Sequence, residues 1–415
     1  MEAARPRRLL GRDFVLLWQG QLVSQVGNQA FLVATMSWTL DATGSPGLMG
    51  LLLVCSTLPP IAFGPIAGAI ADRHSRRTLI VLADLLRGLG HLALAGVLAV
   101  APDATGAIVP LLLVLGFLSG VLGALLTPAL TAAIPDLVPA EKLATANALH
   151  QVSSQTATFV GQAMGGLAYT WIGAAGLVSF DGFTFVLSAG CAALARVPQP
   201  PPRREAALGG HASGYLRDVR EGAEWVWRRP SLRSLILAFA GVNFLFTPVF
   251  VLLPVYVKDV LGRGPEWYGF LLAGAGGGAM VGAALAPLAR TAAGGLAGWL
   301  FGVGVCTVAL SLSRSAPVAL ALLAAVGVLS GMVNVRVMTS LQASTPAELR
   351  GRVVAVTVAL AGAAVPVGLG LGGLLGGLAR PALASLVAGC GAGIVGVAVL
   401  FGAHQRRTGL GSEDA

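Results

Sequence analysis

The chain has 415 residues, of which 55% are hydrophobic and 11% are charged, with 57 glycines, a mean hydropathy of +0.80 and a formal net charge of +9. Soluble proteins carry about 25% charged residues, so this composition excludes a soluble enzyme, a collagen-like fibre and a disordered chain. The apolar runs are also much longer than the strands of about ten residues in outer-membrane barrels, and we therefore expect a helical membrane protein.

Twelve apolar segments follow one another along the chain, and each is long enough for the about 20 residues of a membrane-spanning helix. They cover approximately 14–40, 47–71, 78–100, 106–134, 145–171, 174–196, 232–257, 266–289, 294–313, 317–342, 353–378 and 381–403. Turn signals such as Pro139 and Gly264-Pro265 fall between them. We predict an all-α polytopic membrane protein with two pseudo-symmetric six-helix halves, 1–196 and 231–415, joined by a cytoplasmic linker at 197–230.

Basic residues fall mainly on one side of this predicted arrangement. The Lys and Arg outside the apolar segments lie on the side of the N-terminus, except for Lys258, Arg263, Arg314 and Arg380. Because cytoplasmic loops of membrane proteins are enriched in Lys and Arg, we expect both termini in the cytoplasm. Topology and contact with anionic lipid then explain the positive charge, without a nucleic-acid partner.

The linker combines a proline-rich start with a charged and aromatic second half. Its apolar residues recur at helical spacing with basic residues between them: Leu216, Val219, Ala223, Val226 and Trp227. This pattern predicts a short amphipathic helix on the inner leaflet. A solvated connector without fixed structure is the alternative.

Two short motifs recur at equivalent places of the two halves. The run from Gly68 to Arg76 matches the run from Gly282 to Arg290 in its glycine and its final arginine, although the second copy has Ala286-Pro287 in place of an Asp-Arg pair. Likewise, Pro139-Ala-Glu141 matches Pro346-Ala-Glu348. Such repeats are typical of transporters whose substrate site lies between the halves and opens to each side in turn.

The loop between the second and third spans contains the pattern Gly68-x-x-x-Asp72-Arg73-x-x-Arg76-Arg77. Further characteristic stretches are Gln21-Leu-Val-Ser-Gln-Val-Gly27, Asp84-Leu-Leu-Arg87, Pro135 to Leu149 and Leu253-Pro-Val-Tyr-Val257. The loop resembles the signature loop of the major facilitator superfamily. Together with the other stretches, it resembles the drug and siderophore branch of that superfamily, which includes macrolide and enterobactin exporters.

The resemblance implies a gating role for the signature loop, which in the family helps to close the cytoplasmic side. The residues concerned are Gly68, Asp72, Arg73, Arg76 and Arg77. We expect Gly68 to allow close approach of a facing helix and the Asp72 carboxylate to meet free N–H groups at the start of the eleventh span. A basic loop that only sets topology is the alternative, but it leaves Asp72 unexplained.

Amide side chains mark one face of the first span, and the fifth span repeats the pattern. A polar face is costly against lipid, so we predict that both faces point inward. They form either a wall of the substrate cavity or a set of interhelical hydrogen bonds. The predicted cavity residues are Gln21, Gln25, Asn28, Gln29, Gln151, Gln155, Gln162, Asn243, Asn334 and Arg336.

Two positions depart from the antiporter pattern of the family. Gly161-Gln162 stands where relatives have Gly-Pro, and Asn28 stands where relatives often have an acid. Both departures argue against the standard proton-coupling site.

Few ionisable residues remain inside the spans. Asp84, Arg87 and His91 lie at i, i+3 and i+7 of the third span, which predicts a structural ion pair between the first two. Asp181 has no basic neighbour in its own helix and is the first candidate for a proton-coupling carboxyl, followed by Asp84; a hydrogen-bonded structural acid is the alternative. Arg336 is a candidate contact for an anionic substrate or for Asp181.

The leading hypothesis is a secondary exporter, in the inner membrane of a bacterium, that moves bulky amphipathic compounds such as drugs, antibiotics or siderophores outward against proton entry. The sequence contains no Gly-x-x-x-x-Gly-Lys-Ser/Thr loop, and its histidines and cysteines are scattered, so we expect no ATP use, metal, cofactor or enzymatic activity. The expected partners are a small-molecule substrate and membrane lipid, and a monomer is expected. An importer or facilitator of a small metabolite, and a non-transporting scaffold on the same fold, are the alternatives.

Overall fold

The computed structural model describes residues 11–197, 220–289, 295–346, 349–378 and 383–407, and within these ranges it is helical and contains no strand. The helices are α1 (Arg12–Thr43), α2 (Pro46–Arg73), α3 (Arg76–Val100), α4 (Thr105–Leu137), α5 (Leu143–Leu194), α6 (Pro230–Val255), α7 (Pro265–Leu285), α8 (Gly295–Leu312), α9 (Ala316–Ala343), α10 (Arg350–Leu378) and α11 (Leu383–Arg407). A 3-10 turn at Ala140–Lys142 precedes α5, and a π-helical turn at Tyr256–Val260 extends α6.

Helix α5 is two helices that meet at a single residue. It runs for 52 residues, but its backbone leaves the helical conformation at Gly173, where φ is +65° and ψ is −172°. Only glycine adopts such a left-handed φ without strain. We call 143–172 the first limb and 174–194 the second limb of α5; they correspond to the predicted fifth and sixth spans.

The described residues contain ten helices that are long and apolar enough to cross a membrane. One of them, Ala140–Leu194, has 55 residues, which is enough for two spans on either side of Gly173. Helix α1 is not among the ten because its amide side chains lower its hydropathy, but its 32 residues are long enough to span. With these two additions, the predicted twelve-helix membrane architecture is confirmed.

The chain forms two compact units. The first unit comprises Met1–Trp38 and Cys55–Ala212, and the second comprises Thr39–Val54 and Ser213–Ala415. The end of α1 and the start of α2 thus belong to the second unit, where Asp41 accepts a hydrogen bond of 2.6 Å from the Lys258 ammonium group. The predicted domain boundaries at the linker stay predictions, since most of 197–230 lies outside the described residues.

The core of the first unit brings together α1, α3, α4 and the second limb of α5. Its buried residues are mostly small or aliphatic and include Leu17, Ile80, Ala129 and Ala192. Small side chains allow membrane helices to approach each other closely, which lets polar side chains reach across from one helix to the next.

In the second unit, α7 and α9 pack backbone against backbone. Each helix contributes two glycines four residues apart, and a Cβ at any of the four would collide with a carbonyl group of the other helix. The glycines are Gly278 and Gly282 on α7 and Gly327 and Gly331 on α9. Paired glycines at this spacing are a recurrent motif of helix association in membranes.

The end of the predicted amphipathic helix belongs to the second unit and packs into its core. Residues 220–227 are helical, and Val226 lies in the core of that unit with 1% of its surface exposed. Glu221 accepts a hydrogen bond of 2.6 Å from Arg352 at the start of α10, while Trp227 is 53% exposed. Val226 therefore contacts protein, and the amphipathic helix on the inner leaflet stays a prediction; Leu216 and Val219 lie outside the described residues.

Candidate functional site

A set of polar side chains lies between α1, α3, α4 and the second limb of α5 in the first unit. We call it the polar cluster, and its members are Gln21, Asp84, Arg87, His91, Ser119, Asp181, Thr184 and Ser188. Asp84 and Asp181 are fully buried, and only 1% of His91 is exposed. The cluster contains four ionisable groups inside membrane-spanning helices, where such groups are expensive and mark function more often than stability.

Asp181 is paired with His91. The Nδ1 atom of His91 on α3 lies 2.6 Å from Oδ2 of Asp181 on the second limb of α5. The imidazole ring stacks on Phe31, with 4.3 Å between ring centroids, and meets the edge of Phe185 at 5.6 Å. The sequence showed no basic neighbour for Asp181 because helical spacing relates residues of one helix only, and the partner comes from another helix.

Asp84 is held by hydrogen bonds from two other helices. Its Oδ2 atom accepts a bond of 2.9 Å from the Gln21 amide on α1 and one of 2.7 Å from the Ser188 hydroxyl on α5. Its Oδ1 atom is buried and has no partner among the described residues. Gln21, a predicted cavity residue, thus binds a predicted coupling carboxyl.

Arg87 reaches across to α4. Its Nη2 atom donates a hydrogen bond of 2.6 Å to the carbonyl oxygen of Ser119, and its guanidinium lies 5.5 Å from the centroid of the Phe185 ring. Within the described residues, no direct ion pair joins Asp84 and Arg87, so that prediction is wrong. The reason is that neighbouring helices present closer partners to each side chain.

A glycine on α1 makes room for the His91–Asp181 pair. A Cβ at Gly27 would collide with the hydroxyl of Thr184 and would lie 2.8 Å from Oδ1 of Asp181. Thr184 in turn donates a hydrogen bond of 2.7 Å to the backbone carbonyl of Asp181. The pair is therefore enclosed by close helix packing.

A small cleft in the first unit reaches the edge of the polar cluster. Its walls include Trp18, Gln21, Ile134 and His150. Gln21 belongs to both the cleft and the cluster, because its amide donates to Asp84.

The signature loop is tied to its own unit by its last two arginines. Arg76 donates a hydrogen bond of 2.8 Å to the carbonyl of Ala132 and forms an ion pair with Asp136, both at the end of α4, while Arg77 donates to the carbonyl of Ala193. Asp136 was not predicted as a partner, although it lies in the characteristic stretch 135–149.

The gating role itself stays a prediction. The side chains of Asp72 and Arg73 lie outside what the structure describes. No atom of the described residues lies within 4 Å of the place that a Cβ at Gly68 would take, and the expected close approach stays a prediction.

The predicted amide faces of the first unit divide into two groups. Gln162 donates a hydrogen bond of 3.1 Å to Gln29, which matches the interhelical alternative for this pair. Asn28, Gln151 and Gln155 are exposed, and Gln25 is partly buried, so their place in a cavity wall stays a prediction.

The predicted cavity residues of the second unit differ in their surroundings. Asn243 donates a hydrogen bond of 2.8 Å to the carbonyl of Phe239, one turn earlier in α6. Asn334 is exposed and Arg336 is half-buried on α9. Asp181 belongs to the other unit, so its contact with Arg336 stays a prediction.

Residues 17–364 match the family model of the Major Facilitator Superfamily. The chain belongs to this superfamily. Within the superfamily, it is 29% identical over 376 residues to the multidrug efflux pump Tap of Mycobacterium tuberculosis, a match that covers 88% of this chain and 87% of Tap. It is also 26% identical over 253 residues to macrolide efflux protein A of Streptococcus pyogenes, covering 61% of this chain and 60% of that protein, which is less than two thirds of its length. The predicted resemblance to the drug exporter branch is thus confirmed.

Solved structures of the superfamily share the fold. A bacterial homologue of the human lysosomal transporter Spinster has a TM-score of 0.68 at 18% identity, and the match covers 97% of this chain and 98% of the homologue. A bacterial homologue of the iron transporter ferroportin has a TM-score of 0.69 at 18% identity, with 95% and 98% covered. At these identities the likeness shows the fold alone.

Proposed function

We propose that this chain is a secondary active exporter in the inner membrane of a bacterium. It moves bulky amphipathic compounds such as drugs, antibiotics or siderophores out of the cell in exchange for protons, by alternating access. The observation that carries the proposal is the similarity to a multidrug efflux pump over 88% of the chain. It acts as a monomer with both termini in the cytoplasm, and it is not an enzyme.

The polar cluster supports proton exchange. Two carboxyl groups, an imidazole and a guanidinium lie together inside spanning helices. Burying such groups within a membrane costs free energy, so their presence there supports a functional role. Asp181 and Asp84 are the proposed coupling carboxyls. Because the sequence has no phosphate-binding loop, the proton gradient is the proposed energy source, and no cofactor is involved.

The exposed amides support a cavity for uncharged or weakly charged compounds. Asn28, Gln151 and Gln155 in the first unit, and Asn334 in the second, present amide groups that offer both donors and acceptors. Arg336 is the proposed contact for an anionic group of the substrate. The signature loop with Asp72 is proposed to close the cytoplasmic mouth during the cycle.

The proposal is tested by a susceptibility and export panel in a host that lacks its own efflux pumps. Wild type is expected to raise the inhibitory concentration of at least one antibiotic, dye or siderophore, and Asp72→Asn is expected to abolish the gain at equal membrane abundance. Asp103→Asn is the matched control, because Asp103 is an exposed acid in the loop between α3 and α4.

Two outcomes would contradict the proposal. If no compound distinguishes wild type from the empty vector in growth or in export, a non-transporting scaffold is the better explanation. If wild type increases cellular accumulation of a compound, the chain is an importer or facilitator.

A further inference from the structure

The polar cluster has an unbalanced set of charges when its histidine is neutral. The ionisable groups that face one another are Asp84, Arg87 and His91 on α3 and Asp181 on α5. Among the described residues, α1 and α4 contribute only the uncharged Gln21 and Ser119, and α5 adds Thr184 and Ser188. With both carboxyls ionised, the cluster carries one net negative charge, and one added proton makes it neutral.

The hydrogen bonds of Asp84 suit its ionised form. Its Oδ2 atom accepts from both Gln21 and Ser188, which is the role of a carboxylate oxygen. A proton on Oδ1 would have no acceptor among the described residues, since that atom is buried and unpaired. The Arg87 guanidinium does not lose its proton in proteins. With Asp84 ionised, His91 and Asp181 are the groups of the cluster that can take up the added proton.

The surroundings of His91 can satisfy both of its protonation states. Its Nδ1 atom faces Asp181 at 2.6 Å, and its Nε2 atom lies 3.5 Å from the hydroxyl of Ser119. A serine hydroxyl donates to a neutral imidazole nitrogen and accepts from a protonated one. The ring can thus gain or lose a proton at Nε2 with no change of its partners.

We propose that His91 carries the exchanged proton, held in place by Asp181, and that the polar cluster alternates between one net negative charge and none. On uptake, Nε2 binds one proton and donates it in a hydrogen bond to the Ser119 hydroxyl, while Nδ1–H stays bonded to the Asp181 carboxylate. On release, Nε2 loses the same proton and accepts a hydrogen bond from Ser119. Asp84 and Arg87 set the charge balance without binding the proton.

This inference rests on the proposed proton exchange and assigns its carrier. It also changes the role of the two carboxyls. Asp181 orients the imidazole of His91 and balances its positive charge when the ring is protonated. Asp84 supplies the further negative charge that makes proton uptake favourable. Loss of Asp181 removes the carboxylate that orients the ring, whereas loss of Asp84 removes a negative charge and the acceptor for Gln21 and Ser188.

The direct test is a pH titration of the full chain in lipid bilayers with ¹⁵N-labelled histidine, observed by solid-state NMR. The signal that is absent in His91→Gln is expected to change from protonated to neutral imidazole across the titration. In Asp84→Asn the change is expected at a pH lower by about one unit, the Coulomb effect of charges about 10 Å apart at an effective dielectric constant of about 20. An unchanged midpoint in Asp84→Asn, or a His91 signal that does not titrate, would overturn the inference.

Transport assays distinguish a failure of this inference from a failure of the proposed proton exchange on which it rests. In vesicles with a compound taken from the export panel, His91→Gln is expected to lose pH-gradient-driven transport to the level of empty vesicles while retaining substrate counterflow. Asp103→Asn, at an exposed acid in the loop between α3 and α4, is the matched control and is expected to keep both activities. If His91→Gln keeps full gradient-driven transport, or loses counterflow as well, His91 is not the proton carrier. If wild type shows counterflow but no response to a pH gradient, the proposed proton exchange fails instead.

Discussion

At the scale of single residues, partners from other helices decide what a side chain can do. His91 is one of five histidines in a sequence that contains no histidine motif. In the structure its ring is stacked on Phe31 and bonded to Asp181, which fixes both its plane and the direction of its nitrogens. A histidine held in this way acts as a defined proton site rather than as a polar side chain among many.

The packing around His91 and Asp181 leaves no space for a side chain at Gly27. We expect Gly27→Ala to lower stability by about 1 to 3 kcal/mol, the usual cost of overpacking, because the added methyl group collides with Thr184 and crowds Asp181. Gly96→Ala is the control, since no described atom lies within 4 Å of the place that its Cβ would take. Thermal unfolding in detergent measures the difference, and equal midpoints for the two variants would contradict the expectation.

At the scale of helices, small residues allow the membrane-spanning helices to associate by close packing. Lipid is as apolar as leucine, so helices in a membrane gain from close packing rather than from burial alone. The reciprocal glycines of α7 and α9 bring two backbones into contact along two turns. This pair is therefore expected to be the most rigid part of the second unit.

A substitution within α7 tests the role of the paired glycines. Gly282→Ala is expected to lower the unfolding midpoint, because its Cβ would collide with the carbonyl of Val328 on α9. Gly277→Ala on the same helix meets no described atom within 4 Å and is expected to leave the midpoint unchanged or raise it slightly, since alanine is the better helix former. The idea fails if both variants behave alike in the same thermal assay.

At the scale of the whole molecule, the composition decided most of the fold. Long apolar runs predict spans with little ambiguity, and the predicted break between the fifth and sixth spans falls at Gly173. Side-chain partners were harder to predict, because the rotation and depth of each helix decide which residues meet. The expected pair of Asp84 and Arg87 and the unrecognised pair of His91 and Asp181 are both examples.

At this scale, the linker contributes a side chain, Val226, to the core of the second unit. We expect Val226→Asp to reduce the amount of folded protein in the membrane, because it places a charge in the core that Val226 shares with Leu341 and Val353. Arg228→Asp changes an exposed residue two positions later and serves as the control. Fluorescence-detected size-exclusion chromatography of fusion proteins measures both. Equal monodisperse peaks would show that the linker helix does not contribute to folding.

The junction at Gly173 has a mechanical consequence. The first limb of α5 carries Gln151, Gln155 and Gln162, and the second limb carries Asp181. Because no loop separates the limbs, no flexible segment lies between them that could absorb a displacement. A tilt of one limb therefore moves the adjoining end of the other limb. A single residue, Gly173, thus connects the limb that carries the amides to the limb that carries Asp181, and a longer, flexible insertion at this position would uncouple the movements of the two limbs.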